Sequence, residues 1–180
     1  MKKLFILSFA ALTAFASCNQ TGTTTDVSQQ NLPTAAEDSL AGTFTSKDAK
    51  SVKLLNTIRL FSKQDTSYLS DYALNFTLKL MGDTAVVARG PEGFAAYHRN
   101  LHSLFTDIYF SDGNTFTYNL NNGENWSAYF GECTATGKNT NTKYVMPVNV
   151  WVRWDGDKIV YQGDMVDSKF ANAEMAAAKK

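Results

Sequence analysis

Metal-binding and cross-linking residues are scarce in this sequence. Two cysteines and two histidines in 180 residues leave no basis for a four-ligand zinc cage, a disulfide framework or an iron–sulfur site. An excess of one charge is also missing. Seventeen basic residues balance seventeen acidic ones, so nothing attracts a polyanion and nucleic acid is not expected as a partner. No apolar run reaches the roughly 20 residues needed to cross a bilayer. With 44% apolar and 13% aromatic residues, the chain suits one globular core. Chemistry here would rest on carboxylates, hydroxyls and aromatic rings, and no cofactor is expected.

Lys2 and Lys3 precede an uncharged stretch from Leu4 to Ala16, the charge-then-apolar order of an export signal covering residues 1–17. The segment Phe15-Ala16-Ser17-Cys18 resembles the lipobox of bacterial lipoproteins, departing from it at Phe15, where Leu or a small aliphatic residue is usual. That resemblance implies lipidation of Cys18 and attachment to the bacterial cell envelope, on its periplasmic or surface side. Several acyl chains, each contributing about 0.8 kcal/mol per buried methylene, make a stable anchor. The competing reading is a secreted protein whose cysteine falls beside the cleavage point. With Cys18 modified, Cys133 is left without a partner and is expected to pack as a small apolar side chain. Residues 18–45 are rich in Thr, Ser, Asn, Gln, Ala and Gly; they bury too little surface to offset ordering entropy and read as a tether.

A folded domain is expected over residues 46–170. Val52, Leu54, Leu55, Ile58 and Phe61 recur at helical spacing within Ser46–Ser62, and residues 66–71 add a further turn. Tyr72, Leu74, Phe76, Leu78 and Leu80 alternate as in a half-buried strand, with a short return strand at 85–88 after Gly82-Asp83. Gly90-Pro91-Glu92 opens a second helix, whose stripe of Phe94, Tyr97, Leu101, Leu104 and Phe105 carries it to about residue 105. Strands follow at 107–118, 126–136, 144–154 and 158–166. Asn122-Gly123 and Asp155-Gly156 serve as tight turns, 137–142 forms a polar loop, and 171–180 is an alanine-rich tail.

Helices followed by an antiparallel meander define an α+β domain. This order, with Gly-Pro-Glu-Gly-Phe opening the second helix and the run Trp154-Asp155-Gly156-Asp157-Lys158-Ile159-Val160, resembles the SnoaL-like branch of the nuclear transport factor two-like superfamily. The resemblance implies a cone-shaped fold around a pocket between helices and curved sheet, and a homodimer through the outer sheet face. It also implies a pocket acid near the end of the last strand, best matched by Asp167, acting as general acid/base at a carbon beside a carbonyl. Such an acid must be desolvated, yet Asp167 stands in a polar stretch with Ser168 and Lys169, as a surface residue would. Related ketosteroid isomerases pair a tyrosine hydroxyl with carboxyl groups, which brings in Tyr72, next to Asp71.

His98 and His102 share one side of the second helix, but no third ligand is at hand for a metal. His98 falls at the edge of the apolar face, as a hydrogen-bonded core or pocket residue, and His102 toward solvent. Aromatic residues occupy both faces of the predicted sheet: Trp126 and Phe130 oppose Tyr129, and Trp151 opposes Val150 and Val152. This exceeds one core and implies either a second buried face or a lined cavity. Phe76, Phe94, Trp126, Tyr129 and Trp151 are the candidate ligand contacts. The expected function is a membrane-tethered envelope lipoprotein that binds a small, mostly apolar ligand or a protein partner. The alternatives are a cyclase or isomerase using Asp167 with His98 or Tyr72, and a non-catalytic association module. The mature protein isolated from its own host should carry a fatty-acid mass increment at Cys18; an intact mass without one removes the anchor.

Overall fold

A computed structural model describes Thr34, residues 38–80, Gly82 and residues 85–179. The signal segment 1–17 and Cys18 lie outside the described residues. The domain is α+β, with β1 Gly42–Ser46, α1 Ala49–Ser62, a 3₁₀ turn at Ser67–Asp71, β2 Tyr72–Leu80, β3 Val86–Arg89 and α2 Gly90–Leu104. After these come β4 Phe105–Phe110, β5 Asn114–Leu120, β6 Asn125–Gly137, β7 Lys143–Asp155, β8 Lys158–Met165 and α3 Lys169–Ala177.

The sheet runs β1-β5-β6-β7-β8-β2-β3, with β4 also paired to β6. Its spine is the β6–β7 hairpin, in continuous register from Asn125↔Trp154 to Thr136↔Lys143. The β7–β8 turn uses Gly156 at φ 57°, a left-handed conformation that suits glycine. Unlike the all-antiparallel meander expected, β2 pairs with β8 in parallel. These strands are far apart in sequence and joined by no hairpin, so no tight turn dictates their direction.

Helix α1 starts at Ala49 because Asp48 caps it, accepting hydrogen bonds from the backbone N–H groups of Lys50 at 2.8 Å and Ser51 at 2.9 Å. The same carboxylate accepts from Thr117 Oγ1 at 3.0 Å. Thr117 in turn meets Ser127 Oγ at 2.8 Å, and Ser127 accepts from Trp154 Nε1 at 2.9 Å. One polar chain therefore ties the start of α1 to three strands. Leu54, Ile58 and Phe61 face the sheet, while Val52 is exposed, so the buried stripe is narrower than the periodicity suggested.

Four further differences have physical causes. First, β1 takes residues 42–45 from the predicted tether and ends at Ser46. All five are exposed and are held by pairing with β5, so no buried stripe marks the strand in the sequence. Second, the predicted 107–118 strand is two segments along one edge of β6, interrupted at Ser111–Gly113, where Gly113 sits too close to the Phe130 carbonyl to carry a side chain. Third, Leu74 is 91% exposed because the β2–β8 register shifts between Tyr72 and Thr77. Fourth, Lys169–Ala177 is a helix rather than a tail, with strong helix formers in its Ala-rich run and Glu174 fully buried.

The concave face carries the core: Phe76, Leu78, Tyr129, Val148, Val150, Val152, Trp154 and Ile159 are buried beneath α1 and α2. Below α3 a smaller cluster joins Leu104, Phe105, Ala135 and Tyr144 with Phe170.

Candidate functional site

Helices α1, α2 and α3 stand off the concave face enough to leave a cavity of about 300 Å³. From α1 come Leu54, Ile58 and Phe61; from α2, Phe94, Tyr97, His98 and Leu101. The sheet adds Cys133, Val148 and Val150, and α3 adds Phe170 and Met175. Among the polar groups on the wall are Gln162 and Asp164 from β8, His98 and Asn100 from α2, Thr57 from α1 and Asn172 from α3.

Asp164 lies on the cavity wall and is 9% exposed. Its Oδ1 accepts from Gln162 Nε2 at 2.8 Å, and Gln162 Oε1 accepts from the Tyr72 hydroxyl at 2.9 Å. Among the described residues Oδ2 has no hydrogen-bond partner, and it is not sealed from the cavity. Burial pushes the Asp164 carboxyl up to about 7, against the opposing effect of the Gln162 hydrogen bond. The folded protein thus keeps a proton that the unfolded chain releases. The stabilisation this brings is complete below about pH 4 and is lost as the pH rises through about 7. Burial and the nearby Asp164 also push the Tyr97 and Tyr72 hydroxyls above their ordinary range.

His98 is wedged between the rings of Phe61 and Phe94, with centroids at 4.2 and 4.1 Å. Its Nδ1 is paired with the Tyr68 hydroxyl. Burial, with a smaller contribution from His102, drives its pKa down to about 3, so the ring is neutral at pH 7. With Nδ1 engaged, Nε2 is the nitrogen left for a ligand. His102 is not solvated as expected: it is half-buried, packs on Phe61, and its Nε2 lies 2.9 Å from the Phe61 carbonyl oxygen.

The other candidates separate clearly. Phe94 lines the cavity, whereas Phe76 lies behind it, fully buried against Tyr72 and Phe94 at 4.7 and 5.0 Å. Tyr72 supports Gln162 without lining the wall. Tyr129 is buried below Phe110 and donates its hydroxyl proton to the Ser111 carbonyl at 3.0 Å. Trp126 and Trp151 are on the convex face. Trp126 packs edge-on to Tyr161 at 5.8 Å under Arg153, and Trp151 stacks with Tyr118 at 6.1 Å and meets Phe130 at 5.3 Å. Neither can touch a ligand in the cavity.

Asp167 is at the cavity rim, but it is exposed and bound to Lys169 through the backbone N–H at 3.0 Å and Nζ at 2.6 Å. Those hydrogen bonds hold its carboxyl below the ordinary range. The desolvated acid is Asp164. Counted in twos from buried Ile159, Asp167 would point inward and Asp164 outward. A register shift between Arg153 and Trp154, opposite Tyr161 and Ile159, inserts one residue and reverses that parity.

Helix α3 closes one side of the cavity and is latched by Glu174. Its carboxylate accepts from the N–H groups of Asn139 at 2.7 Å and Thr140 at 3.2 Å, from the Tyr144 hydroxyl at 2.8 Å, and from the Thr140 hydroxyl. Gly137 leaves the space the carboxylate occupies. Burial raises the Glu174 carboxyl, but these hydrogen bonds more than offset it and leave it below the ordinary range. The stabilisation the carboxylate gives is therefore complete above the ordinary glutamate range and is lost as the pH falls through that lowered value.

Among solved structures, this fold is similar to a protein with a ketosteroid isomerase-like fold from Catenulispora acidiphila, in complex with trimethylamine. The TM-score is 0.56 at 11% identity, over 73% of this chain and 95% of that one. A protein described as a SnoaL-like polyketide cyclase from Shewanella denitrificans gives 0.56 at 11%, over 73% and 99%. A nuclear transport factor two-like protein from Burkholderia thailandensis gives 0.54 at 14%, over 71% and 98%. No protein-family model matches the sequence, and no curated protein aligns with it. The domain has the SnoaL-like, nuclear transport factor two-like fold.

Replacing Glu174 by Ala should speed amide hydrogen exchange across residues 138–142 and 169–177 while the centre of β6 and β7 stays protected. Unchanged exchange in α3 would show that the latch does not hold it.

Proposed function

We propose that this domain binds a small, mostly apolar molecule in the cavity, and that the mature protein presents it from a membrane to which lipidated Cys18 is attached. The observation that carries the reading is a half-open, largely apolar cavity with one buried carboxyl group on its wall, whose Oδ2 has no hydrogen-bond partner among the described residues. The lining is otherwise mostly apolar, and a carboxylate oxygen that is open to the cavity and unpaired among the described residues is the polar group that would orient a ligand there. The convex aromatic face, where Phe44 packs on Phe116 and Tyr118 and remains 58% exposed, is the surface proposed for a homodimer.

A second reading is favoured by the same acid. A carboxyl group titrating near 7 holds and releases protons at neutral pH, as general acid/base catalysis beside a carbonyl requires. On this reading Asp164, not Asp167, carries the cyclase or isomerase chemistry, with His98 Nε2 as a polarising donor.

The neutral fluorophore N-phenyl-1-naphthylamine should bind the protein and brighten. Val148→Phe, which pushes a ring into the hollow, should weaken that binding at least about tenfold while leaving the circular dichroism spectrum unchanged. Equal binding by both proteins would contradict the pocket reading. In the same preparations, deuterium exchange into 2-tetralone that disappears in Asp164→Asn would support the enzyme reading, and exchange no faster than buffer would remove it.

A further inference from the structure

Asp164 is a buried carboxyl group with no counter-charge among the described residues. The influences on it are burial and the neutral amide of Gln162. Among the described residues no lysine or arginine lies on the cavity wall. The other titratable groups around it are Tyr72 from β2, Tyr97 and His98 from α2, Cys133 from β6, whose thiol burial keeps protonated, and Asp167 at the rim, already paired with Lys169. Both tyrosines keep their protons, and His98 is neutral at pH 7. On β2, Lys79 aligns with Gly163, one residue out of phase with the inward Asp164, so it belongs to the opposite face of the sheet.

The remainder of the wall is rich in rings: Phe61, Phe94, Tyr97, Phe105, Phe110 and Phe170. The face of an aromatic ring carries the negative end of its quadrupole and attracts cations. An anionic ligand would meet a like charge and no donor cation. A neutral ligand would gain apolar contact and suit the protonated acid, but above about pH 7 it would leave the ionised carboxylate desolvated and unpaired. A cation alone gains from both features, because it supplies the missing counter-charge in a low-dielectric site and lies among ring faces.

We infer that the ligand of this cavity is an organic cation, a protonated or quaternary amine on an apolar body, with its ammonium group against Asp164 Oδ2 and its body among the aromatic rings of α1, α2 and α3. The inference rests on the pocket reading above and names the class of molecule that fills it.

The test is a matched pair of probes, benzyltrimethylammonium and its uncharged isostere neopentylbenzene, each titrated as a competitor of N-phenyl-1-naphthylamine. At pH 8, where Asp164 is ionised, the cation should bind at least about tenfold more tightly than the isostere. At pH 5.5, where the carboxyl is protonated, that preference should collapse in the wild-type protein. It should also be lost at pH 8 in Asp164→Asn and retained in Asp167→Asn. Neopentylbenzene binding as tightly as the cation at pH 8 would overturn the inference while leaving the pocket reading intact. So would a preference that survives in Asp164→Asn. Failure of both probes and of the fluorophore to bind would overturn the pocket reading with it.

Discussion

The concave side of this domain is organised around a carboxyl group removed from water with a single neutral partner. Asp164 is held by Gln162, and Gln162 by the hydroxyl of Tyr72, so the acid's position is set by two strands that pair in parallel. The cost of desolvating it is what lifts its pKa toward 7. That position would be lost if the helices packed flush on the sheet. Instead α1 is pinned at its N-terminus by the Asp48–Thr117–Ser127–Trp154 chain, and α3 is pinned near its C-terminus by Glu174. Each helix is fixed near one end, and a hollow remains between them.

The aromatic residues divide into two populations with different work. Those facing the helices either fill the core, as Phe76 and Tyr129 do, or line the hollow, as Phe61 and Phe94 do. Those on the convex face cover one another: Phe116 on Phe130 at 5.3 Å, Phe130 against Trp151, Trp151 on Tyr118. Mutual cover explains how a sheet can carry large rings on both faces while most of the outer ones are only half-exposed.

Much of this was legible in the amino-acid order. The alternation over Tyr72–Leu80, the Gly90-Pro91-Glu92 helix start and the two Gly-containing turns are local signals, and each element appears within a few residues of its expected place. The elements that escaped have no local signature. β1 is polar and held by backbone pairing, and α3 depends on a carboxylate reaching a loop more than thirty residues away in sequence. The site was half legible. His98 and Phe94 lie on a regular helix, where spacing predicts direction. Trp126 and Trp151 were correctly placed opposite Tyr129 and Val150, but spacing alone does not say which face of a sheet is hollowed. Asp167 came from the resemblance, by its place near the end of the last strand; the structure puts the desolvated acid three residues earlier, at Asp164, where a bulge that leaves no mark in the composition of β8 turns Gln162 and Asp164 inward.

The account therefore stands on the environment of one side chain. A nuclear magnetic resonance titration that follows the Asp164 carboxyl carbon in the ligand-free protein addresses it directly. A midpoint near 7 is the result expected of a desolvated acid bordering an apolar hollow. A midpoint at the ordinary aspartate value of 3.8 would mean that water or a cation already satisfies the group, and the cavity would lose the polar end on which its proposed chemistry depends.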